Sequence, residues 1–169
     1  MENQPEPWLR GTYTEVPAVV RAVVHALELA REDVERWCGD LSDDAVNARP
    51  GEVAPVAFHL RHIARSLDRL LTYAEGQQLS AEQIAALKSE LEPGAERDAV
   101  LGEFRRGIEG AMRRAERFAV SNLEEPRLVG RKGLPTTVGG LLVHCADHTQ
   151  RHVGQAVTTA RILRSEAAR

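Results

Sequence analysis

Apolar residues recur at three- and four-residue steps in four long stretches of this chain, the signature of helices that each bury one face. Val20, Val23, Val24, Leu27, Ala30, Val34 and Trp37 form the first stripe. They predict a helix over about residues 16–38, with Pro17 in its first turn and Gly39 as its stop. Leu60, Ile63, Leu67, Leu70 and Leu71 predict a second helix over about 54–75, with Pro55 in its first turn and Gly76 at its end. Ser80 and Gln83 have the spacing of a capping box, which predicts a short helix over about 81–91. Its apolar residues Ile84, Leu87 and Leu91 would lay it across the others as a strap. Val100, Leu101, Phe104, Ile108, Ala111, Met112, Ala115 and Phe118 define a third long helix over about 96–120. The last opens at Thr136 or Thr137, either of which can cap it, and runs to about residue 164. Val138, Leu141, Leu142, Cys145, Val153, Val157 and Ile162 supply its apolar contacts.

The remainder reads as an extended lead over 1–15, with Trp8 packed back onto the body, a loop over 121–136 and a frayed tail over 165–169. No β-type alternation of useful length is found. The expected fold is all-α: a four-helix bundle with one additional short helix between helices 2 and 3, spanning 1–169 as a single domain.

Composition narrows the function classes. Hydrophobic residues make up 43% and charged residues 28% of the 169, as in an ordinary globular protein. A net charge of −3 gives no reason to expect nucleic acid or an anionic membrane surface as partner. Arg and Glu at four-residue offsets on the third long helix read as a solvated, ion-paired face. The N-terminal residues lack the basic and apolar regions of a signal peptide, and two cysteines are too few for a disulfide framework. With no apolar run long enough to span a membrane, cytoplasmic residence is the expectation.

The candidate chemistry lies in the histidines. Five of the six fall in two windows, FHLRHI with His59 and His62, and HCADHTQRH with His144, His148 and His152. Four residues advance a helix by about 6 Å and turn it by about 40°, so the last three imidazoles form one slanted row. Neighbours in such a row can share a divalent metal ion, and a third ligand must come from the other window. His25 stands apart and reads as a surface or structural histidine. Cys145 falls on the apolar stripe and reads as a small buried hydrophobe. Gly139, Gly140 and Gly154 read as places of close helix packing.

FHLRHIARSLDRLLTY and TTVGGLLVHCADHTQRHVGQ together resemble the DinB-like (YfiT-like) metalloprotein superfamily. That resemblance implies a four-helix bundle holding a divalent metal through His62 of the second helix and the pair His148 and His152 of the last. His59 and His144, a turn away, are alternative ligands. Gly154 and Gln155 follow the pair as in the family, and Gln155 lies within about 20° of His148 around the helix axis. Asp147 is a candidate acceptor for a ligand imidazole, and Arg65, Arg69 and Arg151 are candidates to receive a substrate carboxylate. Neutral imidazole suits zinc, nickel, iron or copper, so histidines alone do not choose the metal; zinc or nickel is the expected ion, with iron or manganese as further options. The resemblance further implies an enzyme acting on a small molecule, most often thiol-dependent S-transfer with glutathione, mycothiol or bacillithiol. The reactive group would be a metal-bound thiolate or water, with no side-chain nucleophile. The alternatives are a metal-dependent hydrolase and a non-catalytic metal-binding stress-response bundle. A homodimer is expected, since such bundles often pair through an exposed helix face.

Overall fold

The computed structural model describes residues 4–167, so 1–3 of the expected lead and 168–169 of the expected tail lie outside the described residues. Four long helices carry the apolar stripes: α1 (Ala18–Cys38), α3 (Val56–Ala74), α5 (Arg97–Glu116) and α6 (Val138–Ala167). Two short helices accompany them, α2 (Asp43–Asn47) and α4 (Ala81–Lys88). The all-α expectation holds. α3 packs against α5 and α6, and α1 packs against the same two, so the four surround one core. Phe104, Leu27, Leu60, Ile63, Leu67, Ile108 and Leu142 fill it. Burial on this scale is the main term holding the helices together, at about 25 cal/mol per Å² of apolar surface removed from water. Because α3 and α6 are neighbours, the two histidine windows come side by side.

Several boundaries differ from expectation. Pro17 and Pro55 each precede their helix and do not occupy its first turn. α5 tightens into a 3-10 turn at Arg117–Val120, and α6 continues through Ala167, past the tail expected to fray at 165. α2 was not anticipated; Ser42 caps it by accepting from the Ala45 N–H. Trp8 is 62% exposed and donates its indole N–H to Glu6, so it does not pack onto the body.

The loop over 121–136 contains a hairpin, β1 (Pro126–Val129) paired antiparallel with β2 (Leu134–Thr137) in the register Val129↔Leu134. Gly130 and Gly133 take positive φ in its turn, which glycine does without steric cost. The hairpin ties two helix ends. Arg127 Nε donates to the Ala74 carbonyl at the end of α3, and Thr137 Oγ1 accepts from the Gly140 N–H at the start of α6. Of the two candidate caps, Thr137 is therefore the one used.

Close approach explains two of the three glycines singled out in the last helix. A Cβ at Gly139 would stand 3.1 Å from the Leu123 carbonyl oxygen, and one at Gly140 would stand 2.7 Å from Thr136 Oγ1. Gly154 has open space around it, so the packing reading fails there. On α5, a Cβ at Gly107 would lie 2.6 Å from the Cβ and 2.8 Å from the Cα of Ala64, so glycine lets α5 approach α3 closely here.

The strap has a different anchor from the one expected. Leu87 and Leu91 are exposed, so α4 is not seated on an apolar face. Polar contacts hold it instead: the Ser80–Gln83 capping box forms, and Gln83 Nε2 donates to Asp68 and Thr72 of α3. Arg65 Nη1 donates to the Ala86 carbonyl and to Ser89 Oγ.

Candidate metal centre

α3 carries His59 and His62, three residues apart, and α6 carries His148 and His152, four apart, on the faces these helices turn to one another. His62, His148 and His152 each offer a ring nitrogen such that the three atoms lie within 4.8 Å of one another. Ring centroids are 4.4 Å apart for His62 and His152, 4.6 Å for His148 and His152, and 4.9 Å for His62 and His148. Two imidazole nitrogens on a tetrahedral zinc ion, each at about 2.0–2.1 Å, stand roughly 3.3 Å apart. His62 Nε2 and His148 Nε2 are separated by 3.2 Å. The spacing fits a shared ion.

The outward nitrogens are also accounted for. His62 Nδ1 donates to Glu90 Oε2 at 2.6 Å. His152 Nδ1 lies 3.0 Å from His59 Nδ1, one ring donating to the other. His148 Nδ1 lies 3.5 Å from Ser66 Oγ, the loosest of the three contacts. Each imidazole thus has a neighbour at Nδ1 that orients the ring and leaves Nε2 for the shared point, the usual arrangement around histidine ligands. Phe58 stacks on His62 at 5.3 Å between centroids and presents its edge to His59 and His152, walling one side with apolar surface.

Electrostatics favour the form that binds metal. Burial, reinforced by the neighbouring imidazoles, lowers the pKa of His59, His148 and His152 to about 4. The positive charge of Arg151 adds to the effect on His148 and His152. At neutral pH these rings are uncharged, so a cation does not have to displace a proton from them. Glu90 is 4% exposed; burial works against its charge, but hydrogen bonds from His62 and Arg69 hold its pKa below the ordinary value.

Of the candidate residues, the structure brings His62, His148 and His152 together. His59 sits behind His152 in an outer layer, and His144 turns outward to donate to Asp147 Oδ1 at 2.8 Å. Asp147 therefore serves His144 and not a member of the trio. Arg65 is committed to Glu103 and to the end of α4, while Arg151 reaches only Asp147 on the exposed face. Arg65 is thus occupied by partners outside the trio, while Arg151 is exposed and near enough for its charge to act on His148 and His152. Arg69 approaches the site through Glu90 alone. Gln155 is exposed. His25 is structural: it is buried with Nε2 3.0 Å from Thr12 Oγ1 and its ring against Tyr13. Glu90 and Phe58 were not singled out from the sequence. Phe58 adjoins His59 in sequence; Glu90 lies near the end of the expected strap helix, between Leu87 and Leu91, where nothing local points to His62.

A predominantly helical fold in which three imidazoles converge from two helices defines a candidate metal-binding protein. The sequence profile of the DinB superfamily matches residues 26–156, which include the whole trio and all four long helices in part or whole. The chain belongs to the DinB superfamily. Comparison with curated proteins returns no match. Among the described residues, no helix is long and apolar enough to cross a membrane.

Proposed function

We propose that this protein is a divalent-metal-dependent enzyme that transfers a low-molecular-weight thiol to, or within, a small electrophilic substrate. The observation that carries the proposal is the convergence of His62, His148 and His152, with ligand atoms within 4.8 Å of one another and each Nδ1 turned to an outer partner. Three protein nitrogens leave a coordination position open, the pattern of catalytic sites as opposed to closed structural ones. When bound, a zinc- or nickel-type ion supplies a Lewis-acidic centre that favours the anionic form of a thiol or of water at neutral pH.

The chain's own residues hold and shape that centre. Glu90 fixes the His62 ring, His59 backs His152, Ser66 neighbours His148, and Phe58 keeps solvent from one flank. A protein thiol is a poor candidate for the nucleophile. Cys38 and Cys145 are both buried, and burial pushes their thiols up to about 12, where almost none is thiolate at pH 7. In the proposed S-transfer the sulfur nucleophile is therefore the thiol co-substrate and not a side chain of this protein.

The test is turnover on a panel of electrophiles with glutathione, mycothiol and bacillithiol, using protein of measured metal content. Thiol-dependent turnover that disappears in His148→Ala and after chelation supports the proposal. Hydrolysis without added thiol contradicts the S-transfer part. Tight metal binding that raises the melting temperature, with no turnover on any substrate, contradicts the enzymatic part.

A further inference from the structure

Residues 86–92, at the end of α4 and beyond it, are held by three arginines of α3 at four-residue spacing. Arg61 Nη1 donates to the Glu92 carbonyl at 2.7 Å, Arg65 Nη1 to the Ala86 carbonyl at 2.7 Å, and Arg69 Nη1 to Glu90 Oε1 at 2.8 Å. This segment exposes Leu87 and Leu91 and contributes little to the core. What it does bury is the Glu90 side chain, the one group it sends to the trio, donated to by His62 Nδ1 on one oxygen and by Arg69 on the other. A carboxylate costs several kcal/mol to bury unless it is fully partnered. Three arginine side chains and a buried anion are a large outlay for a surface connection whose apolar residues face water.

We propose that Glu90 is a positioning residue: it holds His62 as the Nδ1–H tautomer, aims Nε2 at the shared ion and strengthens it as a donor, while Arg69 shares the carboxylate and limits that effect. The proposal rests on the metal-site reading above. A carboxylate behind an imidazole fixes its orientation and raises its basicity toward a metal. The arginine clamp delivers that carboxylate from a segment distant in sequence, so the connection after α4 is part of the site.

The test measures zinc and cobalt affinity of the full chain by competition with a chromophoric chelator, and the His62 tautomer by ¹⁵N NMR on the metal-free protein. Four proteins are compared: the parent, Glu90→Ala, Glu90→Gln and Arg65→Ala. Glu90→Ala should weaken binding about 10–100-fold, shift the visible spectrum of bound cobalt and let His62 populate the Nε2–H form. Glu90→Gln, similar in shape and still an acceptor, should fall between, and it carries the test if the alanine variant does not fold. Arg65→Ala releases one of the three clamp points without touching the Glu90–His62 contact, so it should lower the melting temperature and weaken metal binding less than Glu90→Ala does. Affinity within two-fold in Glu90→Ala with His62 still Nδ1–H overturns the proposal, as does a loss in Arg65→Ala as large as in Glu90→Ala. If the parent binds no metal, the metal-site reading falls with it; if the parent binds and the Glu90 variants bind equally, only the positioning role falls.

Discussion

Acidifying the metal-free protein from pH 7.5 to 5.5 should cost it a measurable share of its stability, and the cost should come from the histidine cluster. His59, His148 and His152 have pKa values lowered to about 4 in the folded chain, against about 6.5 when unfolded. The unfolded chain therefore takes up protons first as pH falls. Stability contributed by these neutral rings is complete above about pH 6.5, declines between about 6.5 and 4, and is gone below that. Between pH 7.5 and 5.5 each such group loses about 1.3 kcal/mol by proton linkage. Three independent groups would lose about 4 kcal/mol. His148 and His152 are only half-buried, and solvent screening reduces their share, leaving about 2–3 kcal/mol for the cluster. Against a typical domain stability of about 5–15 kcal/mol, that moves a urea midpoint visibly. Carboxylates do not confuse the result, because they take up protons mainly below about pH 5. Urea denaturation in the presence of chelator, followed by far-ultraviolet circular dichroism at both pH values, is the assay. A midpoint unchanged between them would show that the rings are not held neutral by their surroundings.

Three further outcomes follow from single contacts. Gly107→Ala should destabilise by up to about 2 kcal/mol, because overpacking of about 1–3 kcal/mol against the Cβ and Cα of Ala64 opposes a helix-propensity gain of about 1 kcal/mol; a raised melting temperature would contradict the close approach of α3 and α5. Thr149 Oγ1 is fully buried without a hydrogen-bond partner, so Thr149→Val should stabilise by about 1 kcal/mol in urea unfolding, and a loss would mean the hydroxyl is satisfied. Cys38 and Cys145, buried and with thiols pushed up to about 12, should resist iodoacetamide at pH 7.5 until the protein is unfolded; rapid alkylation of either, read by mass spectrometry, would contradict that environment.

The four long helices are legible in the chain because each buries one apolar stripe, although on α6 the stripe stops short of Ile162, which is exposed. Every apolar position assigned to α5 is buried, and α1 departs only at Trp37, which is partly exposed. The histidine row was legible for the same local reason, since helix geometry alone puts residues four apart on one side. What escaped depends on long-range contacts or on short elements. The hairpin has strands of four residues with Pro126 and Pro135 in them, too short and too broken to show alternation. Ile84, Leu87 and Leu91 have the helical spacing of an apolar seat for α4, yet Arg65 and Gln83 hold it by carbonyl and side-chain oxygens. Glu90 is 28 residues from His62, and no periodicity links the two. Gln155 shows the limit of phase alone: it shares an angular position with His148, but lies two turns along where the helix faces solvent.

The most direct test of the central claim is the metal content of the purified, dialysed protein by elemental analysis, for the parent and for His62→Ala, His148→Ala and His152→Ala. The parent should retain one divalent ion per chain, and each variant should retain essentially none while keeping its helical circular dichroism. A parent without metal, or a His148→Ala protein that still holds one ion per chain, would contradict the assignment of the three histidines as its ligands.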